Sequence, residues 1–224
     1  MIPTYLWWSS GKDSAWTLHR LQQSETHQVV GLITSINEQA QRVAMHGVRC
    51  SVLRAQAKAL GLPLKIIRLP CPCSNADYEA AVAPALTQAV EEGVQAMAFG
   101  DLFLEDVRDY RLRMLDPLPF DVIFPLWGSD TQRLAAQMVA GGLKANISCL
   151  DPKQLAEDRA GARFDSSFLA DLPDAVDPCG ENGEFHTLCW DGPMFQHPLS
   201  IAQGETVQRD GFVFTDWMLT QAIT

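Results

Sequence analysis

Short apolar runs at residues 5–8, 29–36, 64–69 and 94–99 are each bounded by Gly, Pro or polar positions. Between the later runs lie segments rich in Ala, Leu, Gln and Glu, at residues 48–60 and 77–92. Gly61 and Gly93 stand where such helices would close in a left-handed residue. This alternation is the rhythm of βαβ units, in which parallel strands hide both faces under helices. A further run at 122–127 leads to a helix expected over 131–140, closed by Gly141 and Gly142, and then to another apolar run at 145–150. After Pro152 the texture changes. Asp, Ser, Pro and Gly become frequent, strands are expected at 184–190 and 207–214, and Arg209-Asp210-Gly211 marks a turn. The expected fold class is therefore α/β: a parallel-sheet domain over residues 1–125 and a smaller mixed α+β lobe over 126–224.

Composition supports a packed globule. Of 224 residues, 47% are hydrophobic and 20% charged, far from the polar, highly charged range in which chains stay unfolded. A formal charge of −10 repels polyanions, which makes nucleic acid an unfavoured partner. The six cysteines form no C-x-x-C framework and read as reduced thiols of a cytoplasmic protein. No stretch approaches the roughly 18 apolar residues of a membrane span.

The most informative segment is Ser9-Ser10-Gly11-Lys12-Asp13-Ser14, which follows the first apolar run and opens a helix expected over residues 15–23. A strand-to-helix junction aims free backbone amides and the positive end of the helix dipole at one point beyond the sheet edge, which suits an anion. Ser9, Ser10 and Gly11 let backbone approach phosphate closely, the hydroxyls of Ser9, Ser10 and Ser14 add donors, and Lys12 is expected to add a mobile positive charge. Asp13 makes sense beside phosphate if it binds Mg²⁺. The alternative is a Ser-rich turn that merely caps the helix.

The loop is neither a Walker A sequence nor a dinucleotide fingerprint. It resembles the S-G-G-x-D-S pyrophosphate loop of the N-type ATP pyrophosphatases, the adenine nucleotide alpha hydrolase superfamily, whose domain is of the HUP type. Ser10 stands where that pattern has its first Gly, and a positive φ there would strain it. Towards the other end stands Asp177-Pro178-Cys179-Gly180-Glu181-Asn182-Gly183-Glu184-Phe185-His186-Thr187, followed by Asp191-Gly192-Pro193-Met194-Phe195. With the loop, Gly100-Asp101 and Pro125-Leu126-Trp127-Gly128, these strings resemble the diphthine-ammonia ligase family over nearly the whole chain. In that family ATP activates the carboxylate of diphthine, a modified histidine of translation elongation factor 2, and ammonia displaces AMP.

The resemblance implies ATP and Mg²⁺ as cofactors, ammonia as nucleophile, and a carboxylate acceptor whose identity the sequence leaves open, a modified protein side chain among the candidates. It places Ser9, Ser10, Gly11, Lys12, Asp13, Ser14, Gly100 and Asp101 on ATP, with Asp13 on the metal. It places Gly180, Glu181, Asn182, Gly183, Glu184 and His186 on the acceptor. Lys12, Glu184 and His186 are the expected catalytic groups, Lys12 on the leaving pyrophosphate and either acid–base residue on the nucleophile. On a strand, Glu184 and His186 would share one face and Phe185 the other, which leaves open that both polar residues are plain surface. Asp101 alternatively caps the next helix.

Other signals are weaker. Cys71-Pro72-Cys73 is poorly spaced for an intrachain disulfide and reads as incidental. Arg108, Arg111 and Arg113 read as salt-bridged helix surface, or else as cations for phosphate. Trp7, Trp8 and Trp16 pack the core or wall an adenine pocket. Two rival functions remain at this stage: a tRNA-thiolating relative using Cys71, Cys73 or Cys179, and a non-catalytic adenine nucleotide sensor. A homo-oligomer is compatible with everything read here.

Overall fold

The computed structural model describes residues 1–220. In chain order the first half carries β1 (Ile2–Trp7), α1 (Lys12–Gln22), β2 (His27–Asn37), β3 (Arg42–Val43), α2 (Cys50–Leu60), β4 (Leu64–Leu69), α3 (Asn75–Glu91), β5 (Ala96–Ala98), α4 (Glu105–Leu115) and β6 (Asp121–Ile123). Parallel pairings give the order β4-β2-β1-β5-β6. The short β3 pairs antiparallel with Ile36 and Asn37 of β2. The opposite edge of those residues is taken by β4, so β3 lies on the β1 side, beyond the point where β1 ends against Ile33. The chain winds outward from β1 through β2 to β4 and then crosses to β5 on the other side of β1. The carboxyl ends of β1 and β5 thus form a topological switch point, the crevice where open α/β sheets bind ligands.

Side-chain alternation divides the core. Leu6, Trp8, Leu32, Ile36 and Ala98 face α1, α2 and the second half of the chain, while Tyr5, Trp7, Ile33, Met97 and Phe99 face the other way, together with Val82, Leu86 and Leu115 of α3 and α4. Burial on both faces explains why the strands read as nearly continuous apolar runs. Gly61 closes α2 with φ 68, as expected of a left-handed cap. The run at 122–127 makes only three residues of strand, because Pro125 offers no amide to the ladder and the chain turns there, with Trp127 N bonding Phe124 O.

The second half carries α5 (Thr131–Ala140), β7 (Lys144–Leu150), β8 (Arg163–Phe164), α6 (Ser166–Ala170), β9 (Phe185–Asp191), β10 (Ile201–Arg209) and β11 (Phe212–Leu219). Its sheet is wholly antiparallel, with β9 on one edge of β7 and both β8 and β11 on the other. Asp210 and Gly211, both at positive φ, form the two-residue turn between β10 and β11. β10 begins at Ile201, ahead of the expected position, because an edge strand that is mostly exposed carries little apolar pattern to read. One buried core runs from Leu6 and Trp8 through to Ile147, Phe164 and Phe185. α1 packs on β9, and through that contact the second sheet reaches the loop after β1.

Candidate active site

The loop between β1 and α1 is held from three sides. Gln56 on α2 is fully buried; its Nε2 donates to Ser10 O at 2.9 Å and Cys189 O at 2.6 Å, while its Oε1 accepts from Trp8 Nε1 at 3.0 Å. Ser10 sits at φ 73, so the strain anticipated from its Cβ is present, and its buried hydroxyl finds no partner among the described residues. Gly11 leaves room for its neighbours: a Cβ there would stand 2.8 Å from His46 Cε1 and 3.1 Å from Thr187 O. On the far side, a Cβ on Gly100 would meet Asp13 C and Ser14 N at 3.1 Å. The loop hydroxyls bond one another. Gly11 N donates to Ser9 Oγ, and Ser14 Oγ donates to Gly11 O, which leaves Ser9 to donate in the 3.1 Å contact with Ser14 Oγ.

Lys12 departs from its expected role. Its side chain is buried rather than mobile, with Nζ donating to Asp13 Oδ2 at 2.9 Å and to the Cys179 carbonyl. The Phe185 and Phe164 rings stand 5.2 and 5.7 Å from Nζ. Burial opposes its charge, but Asp13 and the groups around Cys179 and Glu181 outweigh that penalty and hold the ammonium protonated. Its backbone amide donates to Thr187 Oγ1 at 3.0 Å. The position in the first turn of α1 aims the side chain at the second lobe, so Lys12 ties the loop to the segment around Cys179 and does not line the cavity described next.

That cavity, about 390 Å³, lies over the switch point. It gathers Ser9, Asp13 and Ser14 from the loop, Gly100 and Asp101 from the end of β5, and Gly180, Glu181 and His186 from the second lobe. Asp13 Oδ1 is buried there without a hydrogen-bond partner among the described residues. Glu181 accepts from Leu102 N at 2.7 Å, and its carboxyl is pushed up to about 7, first by burial and then by Asp13 and Asp101. Trp7, Trp8 and Phe99 give the cavity aromatic wall, whereas Trp16 is core and stays out of it.

Glu184, Asn182 and Gly183 are placed differently from expectation. Glu184 is buried at the foot of β9, where Oε1 accepts from Asp177 N at 2.8 Å and Asn182 Nδ2 at 3.1 Å. It does not share the cavity with His186, because its carboxylate turns back to hold the segment that carries Asp177 and Asn182. These three residues shape the turn that delivers Gly180 and Glu181.

Several site residues escaped the sequence reading. His46, on the turn after β3, lies against His186 with ring centroids 4.6 Å apart, and Gln56 is a single polar residue in an Ala-rich helix. Neither carries a periodic signal. Arg111, which the sequence offered as salt-bridged helix surface or a cation for phosphate, does line the cavity: it reaches Asp101 Oδ2 at 3.4 Å, with its guanidinium 4.8 Å from the Phe99 ring. Arg108 instead stacks on Trp127 at 5.0 Å. Cys71 and Cys73 are exposed and away from this cavity, and burial pushes the Cys179 thiol up, away from the thiolate that sulfur transfer requires.

Residues 3–114 match the family model of the diphthamide synthase N-terminal domain, and residues 130–217 that of its C-terminal domain. The chain belongs to the diphthamide synthase family. Membership makes it an ATP-utilising enzyme of the pyrophosphate-loop type, and the loop at residues 9–14, which lies within the matched N-terminal domain, contributes Ser9, Asp13 and Ser14 to the cavity. No curated protein matches the chain. A solved structure from Methanocaldococcus jannaschii, described as a predicted subunit of a tRNA methyltransferase, is 17% identical, with 70% of this chain and 82% of that chain covered at a TM-score of 0.37. Among the described residues no helix is long and apolar enough to cross a membrane.

Proposed function

We propose that this protein is an ATP-dependent amide-forming ligase that adenylates a carboxylate and transfers the acyl group to ammonia. The observation that supports this most is the single cavity in which Ser9, Asp13 and Ser14 at the start of α1 face Gly180, Glu181 and His186 of the second lobe. An amide synthesis of this kind needs an anion site and an acyl-transfer site on either side of one phosphorus, the α-phosphorus of the nucleotide.

In this reading residues 1–125 bind the nucleotide and residues 126–224 bind the acceptor. The pyrophosphate of ATP lies against the first turn of α1, with the hydroxyls of Ser9 and Ser14 turning from one another to its oxygens, while Gly11 and Gly100 keep backbone close. A carboxylate oxygen of the acceptor attacks the α-phosphorus, and pyrophosphate leaves with the electrons of the broken P–O bond. Ammonia then attacks the acyl carbon, and AMP leaves. Lys12 acts by holding Asp13 and the Cys179 carbonyl in register rather than by touching phosphate. Glu181, whose carboxyl burial pushes up to about 7, exchanges protons with the acceptor in this reading.

Mg²⁺ fits one feature of the site. The unpartnered Asp13 Oδ1 is a hard oxygen on a residue that lines the cavity, and Asp101 stands on the same cavity. When bound, the ion would neutralise charge building on the leaving pyrophosphate. Among the described residues no three ligating side chains converge, so phosphate oxygens and water must complete its shell.

The test is isotopic. Incubation with Mg·ATP, ammonium and a panel of carboxylic acids, including a diphthine-bearing elongation factor, is expected to release pyrophosphate and AMP in equal amounts with one acceptor amide. Absence of any heat of binding for adenine nucleotides with Mg²⁺ would overturn the proposal; nucleotide binding without turnover across the panel would favour the sensor.

A further inference from the structure

His46 and His186 come from different lobes, one from the turn after β3 and the other from β9, yet their rings lie 4.6 Å apart at a tilt of 36°. Both line the nucleotide cavity, beside the phosphate loop. The loop is built around this contact, since Gly11 lacks the side chain that would collide with His46. His46 Nδ1 lies 3.1 Å from Thr187 O, and because a carbonyl can only accept, that nitrogen carries the proton. The lone pair of neutral His46 is thereby assigned to Nε2. His186 Nε2 is buried with no partner among the described residues.

Electrostatics keep the pair uncharged. Burial lowers His46 to about 4, with Lys12 adding to the effect, and pushes His186 well below the usual imidazole range, with His46 and Lys12 adding to it. The lone pair on His46 Nε2 repels carboxylates and phosphates, and the nearby Lys12 ammonium disfavours a cation. A small, neutral molecule with N–H donors meets both conditions.

We propose that His46 and His186 form the binding site of the nitrogen nucleophile, with ammonia or a small primary amine accepted on their Nε2 atoms. This rests on the amide-forming reading and adds the residues that receive the nucleophile, His46 among them. As the nitrogen lone pair forms the bond to the acyl carbon, the acyl C–O bond breaks and AMP carries away its electrons. The bonded nitrogen becomes strongly acidic, so an imidazole of low basicity can take its surplus proton and pass it to solvent. The same low basicity keeps the imidazole free of a proton at neutral pH before reaction.

The experiment uses full-length protein labelled with ¹⁵N-histidine, whose long-range proton–nitrogen spectra report tautomer and charge. At pH 8.5, His46 is expected as the neutral Nδ1–H tautomer. Ammonium chloride should move the Nε2 signals of His46 and His186 in a saturable way, while equal potassium chloride leaves them in place and His19, His27 and His197 serve as internal controls. H46Q and H186Q assign the signals; should one not fold, the other assigns the remaining resonance. Charged rings at pH 7, or identical responses to the two salts, would overturn the site. Mg·ATP binding measured on the same samples separates the two ideas: retained nucleotide binding without an ammonium response removes the nucleophile site alone.

Discussion

His46 Cε1 stands 2.8 Å from the point a Cβ on Gly11 would occupy, so the phosphate loop and the turn after β3 fit only while residue 11 is glycine. Gly11→Ala must displace either the imidazole or the start of α1, with Thr187 O as a second obstacle at 3.1 Å. The expected result is Mg·ATP binding weakened at least ~10-fold, a change of about 1.4 kcal/mol, measured by calorimetry. Affinity equal to the parent would show that the contact is slack.

Ser10 should tolerate its own removal. Its φ of 73 is unfavourable to any residue with a Cβ, and its hydroxyl is buried without a partner. Ser10→Gly is expected to stabilise the fold by about 1 kcal/mol, read as a higher denaturant midpoint at unchanged slope. Ser10→Ala relieves the hydroxyl but not the backbone and should gain less.

Gln56 supports three buried partners at once, Trp8 Nε1, Ser10 O and Cys189 O. Gln56→Leu keeps the volume and leaves all of them unsatisfied, at a cost of about 3 kcal/mol. A midpoint unchanged within error in urea unfolding would contradict this account.

Lys12→Met preserves the stem of the side chain and strands the Asp13 carboxylate and the Cys179 carbonyl. Loss of one partner from a buried pair typically costs about 3 to 5 kcal/mol, so the variant should melt well below the parent. If Lys12 instead served only as a phosphate ligand, its stability would match the parent while ATP affinity fell.

Glu181 links stability to pH. Its folded carboxyl titrates at about 7, above the ordinary 4.5, so the folded state favours the protonated form. The associated stability is whole below about pH 4.5 and is lost as pH rises through 7. Glu181→Gln should therefore gain stability relative to the parent between pH 5 and pH 8, by about 2 kcal/mol once solvent screening of this partly exposed group is allowed for. A parent-to-variant difference that stays flat across that range would refute the shift.

Parallel strands were legible because burial on both faces forces continuous apolar runs, as at β1 and β5, and Gly61 marked the end of α2 because a left-handed cap needs no Cβ. The loop at residues 9–14 was legible by position alone: a strand feeding a helix leaves amides unpaired wherever it occurs. The turn carrying Gly180 and Glu181 could be seen as polar and glycine-rich, but whether Glu181 or Glu184 lined the cavity could not, since the hydrogen bonds that the folded turn gives Glu184 decide it.

Local chemistry, then, was written along the chain: the parallel lobe, the strand-to-helix junction at residues 9–14 and the second polar string follow from hydrophobic period, glycine placement and residue type. Packing decided the rest. Lys12 points inward because β9 crosses over α1, and His46 meets His186 because β3 and β9 belong to lobes brought together by one core. Such contacts join residues more than a hundred positions apart, and no pattern within a window of ten or twenty residues encodes which side chains burial will press against each other.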